Sequence, residues 1–249
     1  MYPKCNFCSS EYSDELFHDV YPNAKTSILY KTKNFYISID GYPVCENHLL
    51  IVPFEHELSF SNLNNEYSEE LEELLNYMKK IYNNCNSYVL FEHGNNRKKG
   101  DKRSFGNSVN HAHMHFIPYK NIAKDEIINY CFINKNTKLK LKEGVHFNNC
   151  FFENKSRKNI LDYIKEDLPT NEPYLFLHFV KEKAETLCIT ENSIDGEIPS
   201  QYFRKLLAIF MNPNEKNPFY DWKISTEVKS SQNQRINIIN RIFTKFSIN

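Results

Sequence analysis

Three histidines at strict two-residue spacing, His111, His113 and His115, stand inside an apolar run, Ser108-Val109-Asn110-His111-Ala112-His113-Met114-His115-Phe116-Ile117-Pro118. In an extended strand successive side chains alternate between faces, so the three imidazoles point one way while Ala112, Met114 and Phe116 point into a core. A helix would spread the rings around its circumference, and the apolar partners and the Pro118 stop favour the strand. Imidazole titrates nearest neutrality of the side chains, which suits such a row to nucleophilic attack, proton transfer or metal ligation. Rings at i, i+2 and i+4 of a strand diverge too far to share one ion comfortably, so a single three-histidine metal centre is the weakest of these readings. A second group, Cys5-Asn6-Phe7-Cys8, has the spacing of a metal-chelating thiolate pair, and by itself also fits a redox pair or chance. A redox pair would want a βαβ context, which is missing.

Several elements must position these residues. Thr26 to Asp40 carries Ile28, Tyr30, Phe35, Tyr36, Ile37 and Ile39 around a Lys-Thr-Lys-Asn turn and reads as a hairpin. Leu49 to Val52 and Ser87 to Phe91 read as strands. Between them Leu71, Leu74, Leu75, Met78 and Tyr82 recur at three- and four-residue steps, with glutamates early and Lys79-Lys80 late, so an amphipathic helix is predicted to pack on the sheet. Asn95 to Gly106 is a polar loop leading to the histidines. Further on, a helix is predicted over Ser156 to Leu168, a hairpin over Tyr174–Phe179 and Thr186–Ile189, and a helix over Ser200 to Met211. Helices grouped between antiparallel strands predict an α+β fold. Residues 1–120, which hold the histidine row, are expected to form one domain and residues 121–249 an extension, which holds no constellation that would catalyse anything alone and is read as a lid or specificity region packed on the core.

A chain of 249 residues, 41% hydrophobic and 14% aromatic, can bury a sizeable core. Lys+Arg and Asp+Glu balance at 31 each, so no global field draws the protein to nucleic acid or to a membrane, and an anionic ligand must be held by local charge. The N-terminus lacks the apolar stretch of a signal peptide and no run reaches the roughly 18 apolar residues of a membrane span. The expectation is a soluble, cytoplasmic protein with reduced thiols, since Cys45, Cys85, Cys131, Cys150 and Cys188 are scattered without framework spacing.

The segment His111-Ala112-His113-Met114-His115-Phe116-Ile117 resembles the His-φ-His-φ-His-φ-φ signature of the histidine triad (HIT) family of nucleotide hydrolases and transferases. Ile37-Ser38-Ile39-Asp40-Gly41-Tyr42-Pro43 and Asn47-His48-Leu49-Leu50-Ile51-Val52-Pro53-Phe54-Glu55-His56, followed by the acidic helix, are similar in order and spacing to the family's central strands and helix, over roughly residues 5 to 120. Pro199-Ser200-Gln201, Arg204 and Asp221-Trp222 resemble an extension of one bacterial subgroup with a Phe-Glu-His-Gly turn, here Phe91-Glu92-His93-Gly94.

The resemblance implies cleavage of a nucleoside 5′-phosphoryl bond, of the dinucleoside polyphosphate or nucleoside phosphoramidate type. His113 is then the nucleophile that forms a covalent nucleotidyl-imidazole, with His115 and His111 its catalytic neighbours. It implies a structural zinc on Cys5, Cys8, His56 and His111; His18 or His48 are alternatives for the third ligand. It implies substrate contacts from Asp40 to ribose hydroxyls and from Asn107 and Ser108 to phosphate, with His48 facing the nucleotide region. Asp40 read alone also fits a turn or cap residue, and Gly106-Asn107-Ser108 also fits a tight turn into the strand. Glu92 falls where many relatives carry Asn near the phosphate, and a carboxylate there repels phosphate unless protonated or paired with Arg97 or Lys98. Gln201, Arg204 and Trp222 can supply an amide, a guanidinium and a stacking plane to a substrate, or form a helix face and a core aromatic. The basic loop Asn95 to Arg103 can close over phosphates or simply be solvated. The expected partner is a small nucleotide, and family members often form homodimers. A nucleotide-binding sensor without turnover is the alternative reading of function.

Overall fold

β-Branched and aromatic residues on both sides of a Lys31–Asn34 turn pair as β1 (Ile28–Lys31) and β2 (Phe35–Ile39) in the computed structural model, which describes residues 5, 7–8, 27–83, 85, 87–95, 109–119, 160–167, 173–180, 184–190, 201–211 and 229–247. Thr32 closes the turn: its N–H donates to the Phe35 carbonyl at 2.8 Å and its hydroxyl accepts from Phe35 N–H at 3.1 Å. The strands β3 (Leu49–Pro53), β4 (Tyr88–Gly94), β5 (Met114–Pro118), β6 (Tyr174–Val180) and β7 (Ala184–Thr190) complete one seven-stranded sheet in the order β1-β2-β3-β5-β4-β6-β7. Every pairing is antiparallel, and the architecture is α+β as the sequence predicts.

The period-two alternation of the strands divides the sheet into two faces. On one face Phe35, Ile37, Leu49, Ile51, Leu90, Met114 and Phe116 meet helix α1 (Ser68–Ile81) through Leu71, Leu74, Leu75 and Met78. Two later helices pack into the same cluster: α2 (Ile160–Asp167) through Ile160, Leu161 and Ile164, and α4 (Lys229–Ser247) through Ile239 and Ile242. Fully burying each such aliphatic side chain contributes about 1.5–3 kcal/mol. The start of α1 carries Glu69 and Glu70 and its end Lys79 and Lys80, complementing the helix dipole. Glu70 also accepts the Asn34 N–H at 2.7 Å, which ties the first turn of α1 to the β1–β2 hairpin.

On the opposite face Val89, Phe91, Ile117, Leu175 and Leu177 pack against helix α3 (Tyr202–Met211) through Phe203, Leu206 and Leu207. The described elements from residue 160 onward therefore contribute to both layers around the sheet, and β6 pairs with β4 over seven residues. Ala112, Met114 and Phe116 are buried as the sequence predicts. Nothing in the sequence pattern predicts α4. No helix among the described residues is long and apolar enough to cross a membrane.

Gly94 ends β4 opposite Tyr174 of β6, and the tyrosine ring lies where a side chain would be. A Cβ at this position would come within 2.4 Å of two ring carbons. Tyr174 is fully buried, so the ring cannot swing aside without opening its cluster. Gly94→Ala is expected to destabilise the fold by about 1–3 kcal/mol through overpacking. Urea unfolding should show a lower midpoint at an unchanged slope; an unchanged midpoint would mean that β4 and β6 do not pack as closely as described.

Candidate active site and metal centre

In the β3–β5 ladder Ile51 lies opposite Met114 and Leu50 opposite His115. Continued, the register would bring Pro53 opposite Ala112, and Pro53 has no N–H to give. The ladder stops, and Ala112 N–H donates instead to the Glu57 carbonyl at 2.6 Å. Of the three histidines only His115 lies within a strand, while His111 and His113 stand on the bent segment leading into it. This corrects the expected unbroken imidazole strand, and the reason is the imino residue in the neighbouring strand.

The freed Pro53 carbonyl lies 2.9 Å from His111 Nε2. A carbonyl only accepts, so Nε2 carries the proton and Nδ1 keeps its lone pair. That Nδ1 is 3.4 Å from Cys5 Sγ and 3.5 Å from Cys8 Sγ, and His56 Nδ1 is 2.9 Å from Cys8 Sγ. One ligand atom from each of these four residues lies within 4.8 Å of every other. A tetrahedral ion with bonds of about 2.3 Å to sulfur and about 2.0–2.1 Å to nitrogen sets its ligands roughly 3.3–3.8 Å apart, so the donors fit with small adjustments. Cys5, Cys8, His56 and His111 are a group that can hold a metal ion. Burial pushes the His111 imidazole down to about 4, which leaves it neutral for ligation.

The same logic fixes the other rings. His113 Nδ1 is 2.7 Å from the backbone carbonyl of His111, so it donates there and Nε2 is left with a lone pair. Val44 N–H donates to His48 Nδ1 at 3.2 Å, so His48 carries its proton on Nε2. His48 Nε2 lies 2.8 Å from His115 Nδ1, which must accept, leaving the His115 proton on Nε2. The His115 ring is stacked on Phe91 with centroids 4.1 Å apart and planes 4° apart, and stands 5.0 Å from the His113 ring. Burial holds His48 down to about 3 and lowers both His113 and His115, so all three are neutral imidazoles.

Asp40 anchors the end of this chain of rings. Its Oδ1 accepts the Tyr42 N–H at 2.8 Å, and its Oδ2 is ion-paired with Arg204 Nη1 of α3, whose Nη2 donates to the Tyr42 carbonyl. Burial alone would raise the Asp40 carboxyl; the charge of Arg204, with smaller help from His48 and the Tyr42 N–H, outweighs it and holds the group below the usual range. Asp40, His48 and His115 also lie close enough together to suggest a second metal group. The tautomers argue against it, since the proton on His48 Nε2 occupies the position a metal would need.

The remaining predicted residues divide by location. His93 accepts the Phe203 N–H at 3.4 Å on its Nε2, joining β4 to α3, and Gln201 is buried just before that helix with φ 62°. Asn107 and Ser108 lie outside the described residues, as do His18, Trp222 and the basic loop beyond Asn95. Glu92 is buried on the α1 face, away from the histidines, accepting from Phe60 N–H at 2.9 Å and from the Tyr174 hydroxyl at 2.5 Å. Phe7, which the sequence reading passed over, places its ring 5.3 Å from that of His113 and 5.8 Å from that of His111. Its position between two potential ligands was the available signal.

Residues 21–122 match the model of the HIT domain. Over 95 residues the chain is 26% identical to an adenosine 5′-monophosphoramidase of Candida albicans; the match takes in 38% of this chain and spans 62% of the length of that relative. Among solved structures the chain is similar to a histidine triad protein from Clostridium difficile (16% identity, 45% of this chain and 94% of that one, TM-score 0.33). It is also similar to yeast Ap4A phosphorylase in complex with AMP (15% identity, 76% of this chain and 70% of that one, TM-score 0.42).

Burial pushes the Glu92 carboxyl up to about 8 against the opposing hydrogen bonds from Tyr174 and Phe60, so it is protonated at neutral pH. Its folded value lies above its unfolded one. The folded state therefore binds the extra proton between roughly pH 4.5 and pH 8, and the stability this group contributes at low pH is lost as pH rises through that window. Glu92→Gln, which keeps an acceptor and carries no charge, is expected to be more stable than the wild-type protein at pH 9 by on the order of 2–4 kcal/mol and to lose that advantage near pH 4.5. Urea unfolding across the pH range checks this; a pH-independent difference would place an ionised carboxylate at Glu92.

Proposed function

We propose that the protein is a nucleotidyl hydrolase or transferase that cleaves nucleoside 5′-phosphoryl bonds of the dinucleoside polyphosphate or nucleoside phosphoramidate type, through a covalent nucleotidyl group on His113. The observation that carries this reading is the bond from His113 Nδ1–H to the His111 carbonyl, which leaves a neutral imidazole with its Nε2 lone pair unengaged by that bond. A nucleophile toward phosphorus needs that protonation state. Beside it His115 presents an Nε2–H donor, suited to an oxygen on which charge develops.

In the first half-reaction His113 Nε2 bonds to the α-phosphorus, the bond from phosphorus to the leaving group breaks, and the leaving group departs with the electron pair and takes up a proton. In the second, water or an acceptor hydroxyl attacks the phosphorus, gives up its proton, and the imidazole leaves with the electron pair of the P–N bond. Splitting one displacement into two gives each a better leaving group or nucleophile than direct attack by water. Asn107, Ser108 and Gln201 are proposed to contact the phosphoryl group or its substituents, and Asp40 and His48 to border the nucleoside side. The phosphoramidase activity named for the Candida albicans relative supports the substrate class.

The four donors Cys5, Cys8, His56 and His111 are proposed to hold one structural zinc ion. Thiolate and imidazole donors in a closed set of four suit zinc, and such an ion would clamp the N-terminal segment onto the segment carrying His113.

His113→Asn is expected to abolish turnover and covalent nucleotidylation while leaving nucleotide binding largely intact, because an amide preserves polarity but does not attack phosphorus. Incubation with adenosine 5′-phosphoramidate or diadenosine tetraphosphate, with trapping of labelled adduct and peptide mapping, tests this. An adduct on another residue, or full activity of the variant, would overturn it.

Metal analysis of the purified protein is expected to find about one zinc per chain. Cys8→Ser should lower the melting temperature, and a strong chelator should lower that of the wild-type protein by a similar amount while barely moving that of the variant. A zinc-free protein, or a variant as stable as the parent, would count against the site.

A further inference from the structure

We infer that Arg204 of α3 is a positioning residue which, by holding Asp40 Oδ2, keeps the His48 Nε2–H directed at His115 Nδ1 and thereby sets the tautomer that His115 presents to the site. This rests on the reading of His115 as the donor beside the nucleophile.

Asp40 Oδ2 lies 3.6 Å from His48 Nε2 and 3.7 Å from His115 Nδ1, just beyond a hydrogen bond to either. A carboxylate is a stronger acceptor than a neutral imidazole, so an Asp40 not otherwise held would compete with His115 for the His48 Nε2–H after a short shift. Once that bond is lost, His115 Nδ1 has no donor facing it from His48, and the ring can move its own proton to Nδ1 and give it to the carboxylate. The hydrogen needed on the other side of the ring then disappears. An unbalanced carboxylate in this buried place would also draw an extra proton onto one of the two rings.

Arg204 prevents both outcomes. Its planar guanidinium reaches Asp40 Oδ2 with one nitrogen and the Tyr42 carbonyl with the other, a two-point grip that an ammonium would not reproduce. Tyr42 N–H holds Oδ1 at the same time, so the carboxylate is fixed at both oxygens. Helix α3 keeps the guanidinium in place: the neighbouring Phe203 N–H donates to His93 on β4, and Phe203, Leu206 and Leu207 pack on the sheet. Arg204 is 7% exposed and Asp40 6%, so the pair is buried against the sheet and does not face bulk water. In this role Arg204 acts through Asp40, and its bonds to Asp40 and Tyr42 require no substrate.

The test is the tautomer of His115 in the full-length protein without nucleotide, read from the nitrogen resonances of a ¹⁵N-histidine-labelled sample. The wild-type protein should show a neutral His115 with hydrogen on Nε2. Arg204→Met should move hydrogen to Nδ1 or onto both nitrogens, and the double variant Arg204→Met/Asp40→Asn, which removes both charges, should restore the Nε2–H form. If the Met variant does not fold, Arg204→Gln carries the same expectation, since the amide keeps a donor and loses the charge. A wild-type His115 with hydrogen on Nδ1, an Arg204→Met or Arg204→Gln variant that retains the Nε2–H form, or a double variant that does not regain it, would overturn the inference. With adenosine 5′-phosphoramidate as substrate, kcat should fall roughly ten- to a hundredfold in Arg204→Met and Arg204→Gln with KM changing less than about threefold; a raised KM at unchanged kcat would make Arg204 a substrate contact instead. The nitrogen spectra need no turnover, so this outcome stays separate from the presence or absence of an adduct on His113.

Discussion

The Pro53 carbonyl takes the Nε2–H of His111, and the direction of that one bond orients the two sites built around the histidines. With Nε2 satisfied, His111 turns Nδ1 toward the sulfur atoms of Cys5 and Cys8. Held in this way, the backbone of His111 offers its own carbonyl to His113 Nδ1–H, and the lone pair of His113 is placed on Nε2. Were Pro53 any other residue, its N–H could continue the β3–β5 ladder and both bonds would be displaced by ordinary sheet pairing. The irregular entry to β5 is thus a consequence of one missing donor, and it gives His111 and His113 different partners although they are two residues apart.

The sheet keeps incompatible chemistry apart by using its two faces. The α1 face is an apolar cluster into which Glu92 is inserted as a protonated acid, bonded to Tyr174 and Phe60. The α3 face carries the neutral histidines and the Asp40–Arg204 pair. Taking a carboxylate and a guanidinium out of water costs several kcal/mol per ion unless both are well bonded, so the pair is weak evidence for stability and better evidence for a requirement on geometry. His115, stacked on Phe91 at the root of α3, lies where strand pairing, aromatic packing and the ion pair meet.

Much of this was legible in the chain itself. Alternating β-branched and aromatic residues predicted the β1–β2 hairpin, and three- and four-residue recurrence of leucine predicted α1, because local period alone determines which face each side chain takes. The convergence of Cys5, Cys8, His56 and His111 followed from the resemblance in motif order and not from any local pattern. Helix α4 was missed because its Ile236, Ile239, Ile242 and Phe246 are interspersed with asparagine, arginine, threonine and lysine and follow a polar Ser-Ser-Gln-Asn-Gln stretch, which dilute the periodic signal. The Asp40–Arg204 contact joins residues 164 positions apart, and no local feature of either specifies the other. Glu92 was expected beside phosphate; its direction depends on the register of β4 against β5 and β6, which a one-residue change would invert.

Phe7 explains why the N-terminal segment and the histidine chemistry belong to one unit. The residue lies between Cys5 and Cys8, its carbonyl accepts from the Tyr36 hydroxyl at 3.0 Å, and its ring packs with Ile28, Tyr36, Leu50 and Val52 as well as against His111 and His113. Cys5, Phe7 and Cys8 belong to no helix or strand, so little local structure offsets the entropy of ordering them, about 1–2 kcal/mol per residue for the backbone. Their order must come from their attachments, of which the four-donor group and the Phe7 contacts are the evident ones. The four-donor group thus meets His113 at two points, the Phe7 ring between its two cysteines and the His111 carbonyl that accepts the His113 Nδ1–H.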